Sequence, residues 1–440
     1  MDFLSLLTND IFYLICSHIT TIKDLLAIGL ISVQYRQLIR KYQMSHITIH
    51  IYDDYFFRYI FNNYNFLNVA IQYANIDFKL LNALTKCTTI NLNGCFNVPG
   101  RHLKKLKNCR ELNLSCLSNV NDDIVKEFSN IHKLNLANCR GISDKSIVKL
   151  CRLHTLNISG CRKVTDASIA ELTNLHTLDI SHTAITDFSV SKLVNLHTLN
   201  ISKTKVTDAS VQLLGNLHTL NVSNTHITDA SLIKLGKLHT LNISECDAIT
   251  DIGVKELKNL HTLYLNYCEH ITDVGIKELG NLYKLSLRNS CITDDGVKML
   301  KNISKLNLSK CYYITDIGIR ELTNVVKLNL SYGGNITDHG AKELRNCRHL
   351  NLSNCENITD DVLTDLINCD VLDLSATNVT GHRIREAVIQ NKRDHLIPPV
   401  LSIYDVHMDS DTIKELQDVY GYKIYGGWKY LEELDDVLNG

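Results

Sequence analysis

Along most of the chain, apolar residues fall in one fixed pattern. In the stretch from His154 to Leu175 they stand at Leu156, Ile158, Cys161, Val164, Ile169, Leu172 and Leu175. The first two alternate, as a half-buried strand requires, and the last three step by three, as one face of a short helix does. Aligned on its first residue, the unit restarts at 88, 110, 132, 154, 176, 197, 218, 239, 261, 283, 304, 326, 348 and 370, so every spacing is 21 or 22 residues. A strand and helix this short cannot bury their own apolar face, whereas stacked copies share one core. The expected architecture is therefore α/β, a solenoid with a curved parallel sheet and outer short helices, spanning 88–391 in about fourteen units.

Polar positions repeat as regularly. Thr165-Asp166 offers a helix N-cap, since a side-chain oxygen there accepts the orphan N–H groups of the first turn. Twelve of the fourteen units carry Asp at this point, from Asp122 to Asp360. A carboxylate ladder also suits calcium, but capping accounts for it without a metal. Cys95, Cys139, Cys161, Cys246, Cys268, Cys311 and Cys355 share the turn after the strand, and Thr183, Thr204, Thr225 and Thr377 replace them elsewhere. A small side chain buried in a turn explains both choices, so these thiols read as packing residues and not as redox or metal groups.

These features give a resemblance. "LHTLNISGCRKVTDASIAEL", Leu153 to Leu172, resembles the cysteine-containing class of leucine-rich repeat, and the likeness covers about two thirds of the chain. Pro398 and Pro399 break the pattern, and 392–440 reads as a degenerate strand-helix-strand cap over the open core edge.

Ahead of the repeats, "LTNDIFYLICSHITTIKDLLAIGLISVQYRQLIRKY" carries helix caps at Thr8 and Thr21 and three short apolar helical faces, giving a small helical head over 1–45. This stretch resembles an F-box. Leu7, Asp10, Ile11, Ile15, Ile19, Asp24, Leu25, Leu26, Ile31, Ser32, Tyr35 and Arg36 follow that family's order, with Thr8 in place of its proline and Tyr35 in place of its tryptophan. The resemblance implies a module that docks on a Skp-family adaptor of cullin-RING ubiquitin ligases, through Leu7, Ile11, Ile15, Leu25, Leu26 and Ile31. It implies a substrate-recognition subunit in ubiquitin-dependent degradation, with no catalysis of its own; the alternative is a ligase-independent interaction scaffold. Residues 46–87 read as a bridge and N-terminal capping segment, with "HITIHI" a strand and "DDYFFRYIFNNYNFL" an aromatic-rich helix.

Composition narrows the partners. Of 440 residues, 45% are hydrophobic and 21% charged, and the formal net charge of −1 offers little to nucleic acid or an acidic membrane. No apolar run approaches a membrane span. The fifteen cysteines are odd in number and none form a C-x-x-C pair. Eight Asn-x-Ser sequons would put glycans inside predicted strands. Both points indicate a reducing cytoplasmic or nuclear setting. Abundant Asn, Ile, Lys and Tyr suggest an AT-rich genome, such as that of an intracellular parasite or large DNA virus, whose ligase partners and cytoplasm would be the host's.

Candidate chemistry lies on the repeat surface. His132, His154, His176, His197, His218, His239 and His261 open consecutive units and should stack at the strand entrance. Duplication explains the row, and with no phosphate loop or nucleophile-base motif, neither cofactor, metal nor enzyme activity is expected. In strands beginning at 154 through 239 the outward residues are almost always Thr, then Asn or Asp, then Ser. From 261 onward the pattern changes to Tyr264, Asn266, Lys284, Arg288, Lys305 and Lys327, with Tyr267, Lys310, Tyr312 and Tyr332 in the adjoining turns. Aromatic anchors beside cations suit a hot spot for an acidic or phosphorylated protein segment.

Overall fold

The computed structural model describes residues 37–39, 43–51, 65–71, 81–82, 84–367, 369–391, 400–404, 406, 410–419 and 422–425. The six head residues expected to bind an adaptor, Leu7, Ile11, Ile15, Leu25, Leu26 and Ile31, lie outside them. The chain divides into two compact units between Lys205 and Val206.

In the first unit, strands β1 (Gln43–Ile51), β2 (Asn65–Ile71), β3 (Thr89–Asn91), β4 (Glu111–Asn113), β5 (Lys133–Asn135), β6 (Thr155–Asn157), β7 (Thr177–Asp179) and β8 (Thr198–Asn200) pair in parallel and in chain order. Asn65, Phe66 and Leu67, expected to end an aromatic helix, instead open β2. Pairing with β1 and β3 outweighs local preference there.

The second unit continues the scheme with β9 (Thr219–Asn221), β10 (Thr240–Asn242), β11 (Thr262–Tyr264), β12 (Lys284–Ser286), β13 (Lys305–Asn307), β14 (Lys327–Asn329), β15 (His349–Asn351), β16 (Val371–Asp373), β17 (Val400–Ser402) and β18 (Lys423–Tyr425), again parallel between successive strands. The helix Ser410–Asp418 links the last two.

Each repeat is built by the same forces. Leu156, Ile158, Cys161, Val164, Ile169 and Leu175 are all 0% exposed, so the apolar pattern maps directly onto the core. Thr165 caps the helix Asp166–Ile169 by accepting the Ala167 N–H, and its equivalents do the same from Thr186 to Thr359. Asp does something else. The Asp166 carboxylate reaches across to the next repeat and accepts from the Thr186 N–H at 3.0 Å, the Thr186 hydroxyl at 2.7 Å and the Ser189 hydroxyl at 2.6 Å. The ladder of carboxylates expected to cap is therefore a ladder of braces between repeats. From Gly253 to Gly340 glycine takes the serine's place, and at Gly275 a Cβ would come within 2.3 Å of Asp251 Oδ1.

The turn thiols are satisfied through the backbone. Cys161 Sγ donates to Leu136 O of the preceding repeat at 3.1 Å, while Thr183 Oγ1 donates to Ile180 O of its own turn at 2.6 Å, so the same position is satisfied by either side chain through different carbonyls. Burial pushes the Cys139 thiol up to about 12 and Cys161 to about 11, which leaves them protonated and inert.

Candidate protein-interaction surface

The residues that differ most from the repeat lie on the sheet face of β11 to β14. Lys284, Lys305 and Lys327 occupy the same register position on β12, β13 and β14, about 4.8 Å apart from strand to strand. His349 follows on β15. The Lys284 ammonium stands 5.2 Å from the Tyr264 ring centroid and the Lys305 ammonium 5.5 Å from that of Tyr283. Burial, followed by repulsion from Lys305 and Lys284, pushes the Lys327 ammonium below its ordinary value. Such a ladder concentrates positive potential on a face that an anionic group can approach.

A second line of pairs follows the turn edge. Arg288 lies over Tyr267, with its guanidinium carbon 5.6 Å from the ring centroid, and Lys310 lies over Tyr332 at 4.9 Å. Arg288 Nε is shielded from solvent and has no hydrogen-bond partner among the described residues. Tyr267, Lys310 and Tyr332 hold φ values of 58°, 60° and 61°, in the left-handed region that suits glycine or asparagine. Asn138, Gly160, His182, Lys203, Asn224, Glu245 and Ala376 occupy the equivalent position elsewhere, so the turn accepts many side chains at a backbone cost of about 1–2 kcal/mol, and here it presents tyrosine. The predicted residues thus form two lines, Tyr264, Lys284, Lys305 and Lys327 on the strands and Tyr267, Lys310 and Tyr332 at the turns, joined where Arg288 meets Tyr267.

A change beneath the surface frees the tyrosine. In most repeats the outward Asn is committed to its own turn: Asn200 Oδ1 accepts the Ser202 N–H at 3.1 Å, and Asn307 the Ser309 N–H at 3.0 Å. Tyr264 and Ser286 cannot form this turn by such a carbonyl. Asn266 compensates, accepting the Arg288 N–H at 3.0 Å and the Ser286 hydroxyl at 2.6 Å.

Two contributors escaped sequence reasoning. Tyr283 ends the imidazole row, stacked on His261 at 4.8 Å, and its signal was the break in the His series. His349 gave no signal of its own in the sequence. The His row itself stacks as expected, with His176 and His197 centroids 5.4 Å apart and His239 and His261 4.7 Å apart. No group of three or more His, Cys, Asp or Glu suited to a metal occurs among the described residues.

The first unit presents a different face. Strands β3 to β8 line a groove of about 450 Å³ with Thr155, Asn157, Thr177 and Asp179 at its centre. Its polar groups are bonded among themselves: Lys133 pairs with Glu111 at 2.9 Å, and the Asp179 carboxylate accepts from the Asn157 and Asn200 amides.

Leucine Rich repeat models match residues 171–194, 216–236, 237–258 and 256–280, within the regular part of the array. No curated protein sequence matches the chain. Among solved structures, an internalin (inlF) from Listeria monocytogenes is 22% identical, with 70% of this chain and 90% of that one covered at a TM-score of 0.51. The mouse RP105/MD-1 complex gives 15% identity, 87% and 79% coverage and a TM-score of 0.52. No described helix is long and apolar enough to cross a membrane. Each unit is accordingly an array of parallel strands backed by short helices, the leucine-rich-repeat fold.

Proposed function

We propose that the chain is a non-catalytic recognition subunit. Its second unit captures an acidic or phosphorylated protein segment, and its head joins a Skp-family adaptor and through it a cullin-RING ubiquitin ligase. The observation that carries the capture half is the ladder Lys284, Lys305 and Lys327 flanked by Tyr264 and Tyr283. Aromatic rings supply area at low entropic cost, and the cations supply charge-assisted bonds to carboxylate or phosphate. The adaptor half rests on the F-box resemblance of Leu7, Ile11, Ile15, Leu25, Leu26 and Ile31.

A pull-down against a Skp-family adaptor tests the ligase assignment. Ile11→Asp with Leu25→Asp should abolish adaptor capture while leaving the repeats folded, because helix-in-groove docking depends on a few buried apolar anchors. Adaptor capture unchanged in a folded double variant rules out the F-box role and leaves a ligase-independent scaffold.

A further inference from the structure

The turn edge of the first unit holds a pocket of about 490 Å³, apart from the sheet face and unconnected with the proposed capture site. Arg140, Arg162, Lys163 and His182 line it with Ser159 and Ser181, and none of the lining residues is acidic. All four basic residues are exposed, and Arg140, Arg162 and Lys163 take no part in the ion pairs found among the described residues. This contrasts with a surface pocket of the second unit, where Arg383 is held by Glu386 at 2.7 Å beside Asp360 and Asp361.

The fold places the cations together for a simple reason. Arg140 and Arg162 follow Cys139 and Cys161, so they occupy equivalent turns of adjoining repeats, about one strand spacing apart. Gly160 keeps the floor open: its φ is +71°, and a Cβ there would lie 2.5 Å from Asn138 Oδ1. Two guanidinium groups at that spacing can each grip a phosphoryl group in bidentate fashion, with Lys163 and the Ser159 hydroxyl completing the donor set. The volume suits a small ligand and the donors suit only an anion.

We propose that this pocket binds a small polyphosphorylated ligand. The test is calorimetric titration of the full chain with inorganic triphosphate at low and moderate salt. One-site saturable binding is expected, weakening with salt. Arg140→Ser, Arg162→Ser and Lys163→Ser together should weaken it by about tenfold or more. The control exchanges three exposed cations elsewhere on the unit, Lys86→Ser, Lys107→Ser and Lys149→Ser, for the same change in net charge and should alter affinity by less than about twofold. All six positions are exposed, so unchanged melting temperatures will show that both variants remain folded. Absence of saturable binding, or equal weakening in the two variants, overturns the proposal.

Discussion

The sheet faces of β5 to β8 and β11 to β14 share backbone register, buried leucines and turn geometry, yet offer partners opposite surfaces. On the first, Thr155, Thr177 and Thr198 line a groove with one ion pair and one carboxylate held by asparagine amides. On the second, lysines at the same register stand against tyrosine rings. The repeat fixes the scaffold through its inward residues and leaves the outward ones free to vary, so recognition is to be sought where the outward pattern departs from its average.

The most severe way to break this comparison is to erase the second face. With a partner identified by proximity labelling, Tyr264→Ala, Arg288→Ala and Lys305→Ala together should weaken binding by about a hundredfold or more. Thr155→Ala, Thr177→Ala and Thr198→Ala should change it by less than about threefold, since truncating rim-like hydroxyls removes little. A larger loss in the threonine variant would transfer the capture site to the groove of the first unit. Rising salt should weaken the native complex, because the face recognises charge.

The repeat period was legible in the sequence because every unit buries the same residues, from Leu156 to Leu175 in one and from Leu263 to Leu282 in another. The charged and aromatic change after 261 was legible too, as a break in that regularity. The role of the Asp ladder was not. Asp166 bonds Thr186 and Ser189, 20 and 23 residues away, while an equally plausible capping threonine sits next to it in sequence. Nor was the groove of the first unit legible, because it is made by placing ordinary Thr and Asn side chains on neighbouring strands. The strand at Asn65–Ile71 was hidden by aromatic composition, which pairing with β1 and β3 overrode.

A smaller effect separates the two kinds of brace. Asp166→Ala leaves a backbone N–H and two hydroxyls without their acceptor and should cost about 2–3 kcal/mol. Asp251→Ala removes the bonds to Thr272 alone among hydroxyl residues, with Gly275 where Ser189 stands, and should cost about 1–2 kcal/mol. Thermal melts of the two variants check the order; equal losses would show that the serine adds nothing. Acid sharpens the same point. Burial raises the Asp166 carboxyl, but hydrogen bonds from Ser189 and Thr186 outweigh it and hold the group below its ordinary range. Its stabilisation is therefore present above the unfolded value near pH 4 and lost as pH falls through the lower folded value, and Asp166→Asn should flatten the native chain's loss of stability below about pH 4.

The smallest effect expected is at His349, which continues the lysine ladder. Burial, then the neighbouring Lys327 ammonium, lowers its pKa; Arg348 and Lys305 add to this, and Asp370 opposes it. Its Nδ1 is also sealed without a hydrogen-bond partner among the described residues. The neutral ring is thus favoured in the folded chain, so its contribution is full above the unfolded value near 6.5 and declines as pH falls through it. His349→Gln should reduce the difference between melts at pH 7.5 and 5.5 by about 1–2 °C. An anionic partner seated over Lys327 reverses the balance, because its charge favours the imidazolium. A carboxylate-rich partner peptide should then bind tighter at pH 5.5 than at 7.5, and a carboxylate peptide is the right probe because phosphate gains a proton near pH 6 and works the other way. Loss of that pH dependence in His349→Gln would place the acidic segment over β14 and β15. Its persistence would place the segment nearer Tyr264 and Lys284, at the other end of the ladder.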